Sequence, residues 1–240
     1  MPPIALRCRH LLRPAAVLAV LLAAPLAQAQ SFCSSDGQPR PLALVERFIS
    51  ADCASCWADP AAPKAQAREI AIDWILPGSK GEDAPLSAAA RTESRTRLAA
   101  LGRTAPAQMD DVRQPLVAAA RTLRVAHGLP FNGYLGTSIA LQPAGAAPWH
   151  AWLALVETIP AGTEGTPVER NLVRNLLQPP WDKHRTLSKN EQNKLLESRP
   201  MSIPEGADPQ RLRLVGWVED ARGRIRAIAQ SRCAETAGTR

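Results

Sequence analysis

Beyond its first 30 residues the chain has no run of about 20 apolar residues, the length a membrane-spanning helix needs. No later segment is therefore expected to cross a bilayer. Histidine is scarce, with four in 240 residues, and the three beyond the amino end, His127, His150 and His184, never fall three or four apart. That spacing excludes a helical pair of imidazole metal ligands, and the three are read as locally satisfied surface groups. No G-x-S-x-G and no G-x-x-x-x-G-K-[ST] occurs, which excludes a nucleophile-elbow hydrolase and a P-loop nucleotide site; no cofactor or metal is expected. Aromatics are only 4%, yet six of the ten are Trp. Basic residues are spread along the chain and do not alternate with aromatics, so no nucleic-acid partner is expected. The exception, Arg211, Arg213, Arg222, Arg224 and Arg226, reads as the solvated surface of a hairpin.

What is present begins with a leader. Arg7, Arg9 and Arg13 precede an apolar stretch from Ala15 to Ala24, and Ala27-Gln28-Ala29 has the small-x-small pattern of a signal-peptidase site. Residues 1–29 thus read as a removable secretory signal, which places the mature protein in the periplasm or outside the cell. Gln30-Ser31-Phe32 before Cys33 lacks the small residues of a lipidation site, so no membrane anchor is expected after cleavage. Cleavage removes three of the 29 basic residues and none of the 22 acidic ones, leaving 26 against 22, a mild net +4.

Cleavage also removes Cys8, and Cys33, Cys53, Cys56 and Cys233 remain, an even number in an oxidising compartment. Cys53-Ala54-Ser55-Cys56 follows the apolar run Leu42 to Ile49 and precedes a stretch that can start a helix. A C-x-x-C on a strand-to-helix turn suits thiol-disulfide exchange, because first-turn N–H groups stabilise a thiolate and the thiolate is the attacking species. Cys53 is the expected nucleophile and Cys56 the resolving thiol, acting on a protein thiol or disulfide partner. Three pairings of the four cysteines are open; the close pair combines most simply, leaving Cys33 and Cys233 as a structural bridge worth about 5 kcal/mol in the chain-entropy model. The competing readings are a small structural disulfide at Cys53–Cys56 and one zinc ion held by all four cysteines, against which stands that zinc sites usually show two short-spaced pairs whereas Cys33 and Cys233 are lone residues far apart.

The pattern after Leu42 reads strand, C-x-x-C turn, short helix around Lys64 to Arg68, and a second strand from Glu69 to Leu76. Residues 86–101 and 116–126 carry apolar side chains at helical spacing. From Trp149 the character changes, with strand-like segments at 149–158, 168–177, 212–219 and 225–230, the last two joined as a hairpin. Residues 179–202 read as a long loop with a helical turn near Glu191 to Glu197. The expected architecture is α/β (α+β): a thioredoxin-like domain over residues 30–145 and a mainly β part over 146–240. Redox domains of that type set a cis-proline opposite the C-x-x-C, and Pro106 is the candidate.

Several blocks carry a more specific likeness: Val45-Glu46-Arg47-Phe48 leading into Ser50-Ala51-Asp52-Cys53-Ala54-Ser55-Cys56, then Ile72-Asp73-Trp74, Ala105-Pro106-Ala107-Gln108-Met109, and Val215-Gly216-Trp217-Val218-Glu219-Asp220 with Gly223. In these the chain resembles the secreted domain-of-unknown-function family 1223 from about Leu42 to Gln230. The resemblance implies a thioredoxin-like fold and little about the reaction. Asp73, inside an apolar strand, is either a strand-end carboxylate facing solvent or a buried proton carrier for Cys56. Trp149, Trp152, Trp181 and Trp217 fit core positions, or else line a groove. Two functions remain: an exported thiol-disulfide oxidoreductase using Cys53, Cys56 and Pro106, or a non-catalytic secreted protein with structural disulfides and a β-rich binding surface.

Overall fold

The computed structural model describes residues 33–117, 120–145, 148–181 and 193–233, of which 47% are strand and 12% helix. The expected leader, residues 1–29, and His184 lie outside the described residues. In chain order the elements are β1 (Cys33–Ser34), β2 (Ala43–Ser50), α1 (Ala54–Trp57), β3 (Glu69–Leu76), α2 (Glu93–Ala100), β4 (Met109–Pro115) and β5 (Thr122–Phe131). They continue with β6 (Tyr134–Gln142), β7 (His150–Ile159), β8 (Arg170–Leu177), β9 (Leu195–Ser202), β10 (Leu212–Glu219), β11 (Ile225–Gln230) and β12 (Arg232–Cys233).

The strands make two sheets, a seven-stranded one in the order β11-β10-β7-β8-β3-β2-β4 and a five-stranded one in the order β12-β1-β5-β6-β9. In the larger, β2/β3 and β3/β8 are parallel and every other pair is antiparallel. The α/β, thioredoxin-like expectation is therefore not met: the fold is β-rich with two α-helices among the described residues. Both sheets draw strands from either side of residue 145.

The β-α-β opening exists, with β2 and β3 in register from Ala43↔Glu69 to Ser50↔Leu76, but its helix is a single turn. Lys64 to Arg68 form no helix, and Arg68 takes φ 63° in the left-handed region. The helical spacing of residues 116–126 loses to a period of two. Leu123 and Val125 point into the core while Arg124 is half-exposed, and β5 satisfies its backbone between β1 and β6. Residues 86–101 divide into a 3-10 turn at Ser87–Ala89 and the short α2, because Arg91 N–H donates to Ile75 O (3.0 Å) and pins the chain to β3. The end of the expected 179–202 loop is β9, an edge strand that buries Leu195 and Met201 and exposes Leu196, Arg199 and Pro200. The strand-like segments of the second half become β7, β8, β10 and β11, and the last two form the expected hairpin around Gly223, φ 70°.

Apart from the half-exposed edge strand β4, the larger sheet is buried on both faces, which is why its inner strands read as near-continuous apolar runs. On β7, Ala151, Leu153 and Leu155 pack toward the smaller sheet, and Trp152, Ala154 and Val156 pack on the opposite face. On β10, Leu212, Leu214 and Val218 take the first face, and Val215 and Trp217 the second. Gly216 interrupts the first set. A Cβ there would lie 2.6 Å from Val125 Cγ1 and 3.3 Å from Ile139 Cδ1, so the missing side chain lets the two sheets meet. All four tryptophans named from the sequence are core residues, and no exposed tryptophan groove forms from them.

Candidate functional site

At the carboxyl end of β2 the chain turns sharply. Ala51 N–H donates to Leu76 O (2.8 Å) and Cys53 N–H to Ser50 O (3.0 Å), which sets Cys53 at the mouth of α1. Asp52 ties this turn to the one after β3: one carboxylate oxygen accepts from Ser79 N–H and Oγ, both at 2.7 Å, and the other from Lys80 N–H. The Ser79 hydroxyl, with backbone N–H groups of Ser79 and Lys80, holds the Asp52 carboxyl below its usual value despite the opposing desolvation. Gly78 passes so close to Asp52 that a Cβ would sit 2.3 Å from a carboxylate oxygen.

Cys53 and Cys56 are joined as a disulfide. Their surroundings differ. Cys53 is buried, 7% exposed, and its Sγ accepts the N–H of Cys56 at 3.2 Å and lies 3.5 Å from Ser55 Oγ; Cys56 is half-buried. The first-turn N–H expected to stabilise a thiolate is thus at the Cys53 sulfur.

A buried ionic cluster holds the loop from beneath. Arg170, at the start of β8, donates to Cys56 O (3.0 Å) and Trp57 O (2.8 Å), pairs with Asp73 Oδ1 (3.3 Å), and sets its guanidinium 5.3 Å over the Trp57 ring. Burial pulls the Arg170 guanidinium below the ordinary arginine value, and the Asp73 charge opposes it. Asp73 Oδ2 is taken by Arg47 (2.6 Å) and by Asn171 N–H (2.7 Å), while Arg47 also donates to Pro63 O (2.8 Å). Asp73 is therefore not the solvent-facing carboxylate of the first expectation. It is fully buried, and it positions the loop through Arg170 with both oxygens occupied by donors. Trp57 Nε1–H donates to Glu164 O (2.8 Å), and beside Trp57 a cleft of 230 Å³ runs past Ile75, Leu86, Ala89, Leu172 and Arg174.

Pro106 is not in cis: the cis peptide among the described residues is Gln142–Pro143. The trans form is the default of an X-Pro bond, and residues 104–107 are an open link from α2 to β4. This link does run beside the site, since Ser50 N–H donates to Gln108 O (2.8 Å).

Glu46 and Arg47 are consecutive on β2 and so point to opposite faces. Glu46 anchors a second cluster on the far side of the sheet, where Arg97 from α2 pairs with Glu46 and with Glu219 of β10, both at 2.7 Å. Arg97 lies 4.9 Å and 5.1 Å over the Trp152 and Trp217 rings. Burial works against its charge, and the two carboxylates more than reverse that, holding the guanidinium above its ordinary value.

The expected Cys33–Cys233 bridge is formed, joining partner positions of β1 and β12. Cys33 is also register partner of His127 on β5. His127 is not the surface histidine expected from the sequence: it is 5% exposed, and burial lowers its pKa against the hydrogen bond to Gly128 O. His150 is exposed, as expected.

Among the residues the sequence reading missed, Glu46, Arg47 and Glu219 carried a signal, since each is a charge inside an apolar strand pattern. Arg97 and Arg170 carried none: one lies on a polar-looking helix and the other at a strand end. No family model, curated protein or solved structure matches this chain.

Proposed function

We propose that the protein is an exported thiol-disulfide exchange protein acting through Cys53 and Cys56. The observation that carries this reading is the asymmetry of the pair: a half-buried Cys56 beside a buried Cys53 whose sulfur already accepts an N–H. A partner thiolate attacks the Cys56 sulfur. The partner–Cys56 bond forms as the Cys53–Cys56 bond breaks, and the electron pair leaves on Cys53, where the Cys56 N–H and the Ser55 hydroxyl offset the charge. A second thiol of the same partner then attacks the partner's sulfur in the mixed disulfide and releases Cys56. Two electrons and two protons have passed from the partner dithiol to the pair. This order inverts the one expected from sequence, in which Cys53 attacks first. Two disulfides and the leader-like residues 1–29 support export.

The second reading, a structural staple in a non-catalytic secreted protein, is favoured by one observation: Arg170 holds both Cys56 O and Trp57 O from beneath. Redox titration with thiol buffers, read by mass spectrometry of the alkylated peptide containing both cysteines, separates the two. Exchange chemistry expects a potential between about −120 and −270 mV, whereas a value below about −300 mV identifies a staple. Trapping checks the order of attack: Cys53→Ser accumulates more mixed disulfide with a partner than Cys56→Ser does, and the opposite ranking restores Cys53 as the attacking sulfur.

A further inference from the structure

The Cys33–Cys233 bridge closes three adjacent strands of the smaller sheet, β12-β1-β5, and a third side chain belongs to the same spot. Cys33 is the register partner of Cys233 on one side and of His127 on the other, so the three side chains share one face of the sheet. Both sulfurs and a ring nitrogen of His127 lie within 4.8 Å of one another. The ring's hydrogen bonding fixes which nitrogen is free. His127 Nδ1 is 2.9 Å from Gly128 O, and a carbonyl oxygen only accepts, so Nδ1 carries the proton and Nε2 keeps its lone pair. Nε2 is buried and has no hydrogen-bond partner. A buried acceptor without a donor is costly unless something else meets it. An N–H held by a backbone carbonyl, with the other nitrogen left open, is the arrangement metal-bound histidines use.

We propose that Cys33, Cys233 and His127 form a zinc site when the bridge is reduced, so that the two ends of the described chain are held either by a disulfide or by a metal ion. The proposal is independent of the Cys53/Cys56 reading. A dithiol reductant supplies two electrons and two protons, the S–S bond breaks, and two thiols form while the dithiol becomes a disulfide. Zn²⁺ then displaces both thiol protons and makes two Zn–S bonds and one Zn–N bond to Nε2. Zn–S distances of about 2.3 Å and a Zn–N distance of about 2.0 Å in a tetrahedron require ligand separations of about 3.5 to 3.8 Å. Both sulfurs and a ring nitrogen of His127 already lie within 4.8 Å of one another, so the site asks for side-chain rotation and not for movement of the strands. Cys233 is exposed, which admits the reductant and the ion and leaves the fourth position open to water. Two thiolates and one imidazole are soft and intermediate donors and select zinc over magnesium or calcium.

The test uses the whole chain with Cys8→Ser, Cys53→Ser and Cys56→Ser, so that no other thiol binds metal. The oxidised and the phosphine-reduced forms are titrated with Co²⁺, read by its thiolate charge-transfer and tetrahedral ligand-field absorption, and Co²⁺ is then displaced with Zn²⁺. The reduced form is expected to bind one ion per chain and the oxidised form none. His127→Gln leaves both cysteines intact and is expected to weaken binding about 100-fold or more and to change the ligand-field bands. His127→Gln in the otherwise unaltered chain, reduced and titrated in the same way, gives the same comparison if the triple substitution does not fold. A reduced protein that binds no metal, or a His127→Gln variant with unchanged affinity and spectrum, overturns the proposal.

Discussion

Replacing Arg170 by Met removes the side chain that ties the backbone of Cys56 and Trp57 to Asp73 in the interior of the larger sheet. Four things go at once: the pair with Asp73, the two charge-assisted bonds to Cys56 O and Trp57 O, the bond to Thr166 Oγ1 (3.1 Å), and the guanidinium over the Trp57 ring. Orphaning a buried charge costs about 3–5 kcal/mol, but Asp73 keeps Arg47 at 2.6 Å and the Asn171 N–H at 2.7 Å, so it is not orphaned. The two carbonyls are the larger loss, since bonds to a charged donor contribute about 1.5–3 kcal/mol each and the Cys56 carbonyl regains part of this from water. With the Met side chain filling some of the space, the net expectation is a loss of about 3 kcal/mol. An unfolding entropy of about 2.1 cal/mol/K per residue over roughly 200 residues is about 0.4 kcal/mol/K, which turns that loss into a Tm lower by about 7 °C. Thermal and urea unfolding of the oxidised protein measure it, and amide exchange at Cys56 to Ala58 reports the loosened loop directly. Arg170→Lys restores charge but not the fork that reaches Asp73 and two carbonyls together, so it recovers less than half. A loss under about 1 kcal/mol for Arg170→Met, with exchange at Cys56 to Ala58 unchanged, refutes the assignment of Arg170 as the anchor of the loop.

On the opposite face, Arg97→Leu leaves Glu46 and Glu219 buried together without a cation, and a destabilisation of about 3–5 kcal/mol is expected in urea unfolding. Replacing all three charges, Glu46→Gln with Arg97→Met and Glu219→Gln, recovers most of it; a triple variant as unstable as Arg97→Leu contradicts the electrostatic account. Gly216→Ala places a methyl carbon 2.6 Å from Val125 Cγ1 and is expected to cost about 1–3 kcal/mol by overpacking, which Val125→Ala relieves in a double-mutant cycle. Additive effects of those two substitutions argue against a shared contact between the sheets.

The local strand pattern was legible where apolar residues ran without interruption: β2, β3, β7, β8, β10 and β11 all fall on segments read as strands. The order in which they pair was not. Ile72-Asp73-Trp74 states that β3 is buried, but nothing in it says that Asp73 lies opposite Leu172 on β8, a partner about 100 positions later. The assignment of two helices failed at 116–126, where Leu116, Leu123 and Ala126 fit a helical period only if Arg124 is ignored, and where the sheet backbone of β1 and β6 decided the outcome. β6 and β9 were not read as strands because Gly136, Thr137, Ser138 and Ser198, Arg199, Pro200 dilute the alternation; each holds its place by pairing along its length with the other. The Cys53–Cys56 pair and its place on a strand-to-turn junction were visible at once. The difference in burial between its two cysteines was not, because that depends on Trp57, Arg170 and the turn at Ser79, which converge on the loop only in three dimensions.

The two disulfides differ in what their reduction releases. The Cys53–Cys56 loop is held at its backbone: Asp52 grips Ser79 and Lys80, Arg170 grips the carbonyls of Cys56 and Trp57, and none of these bonds uses a sulfur atom. Breaking that S–S bond therefore leaves the loop in place, and the buried Cys53 sulfur retains the N–H that stabilises its thiolate. The Cys33–Cys233 bridge joins strands of two residues each, whose ladder to one another is the pair Cys33↔Cys233 and Ser34↔Arg232. Two residue pairs at the edge of a sheet contribute little on their own. There the covalent bond is the main restraint between β1 and β12, so its reduction loosens the chain beyond Ser231, which Leu214 holds, unless another bond between the same atoms takes its place. The His127 ring, with one nitrogen within 4.8 Å of both sulfurs and its Nε2 unpartnered, is what allows a metal ion to supply that bond.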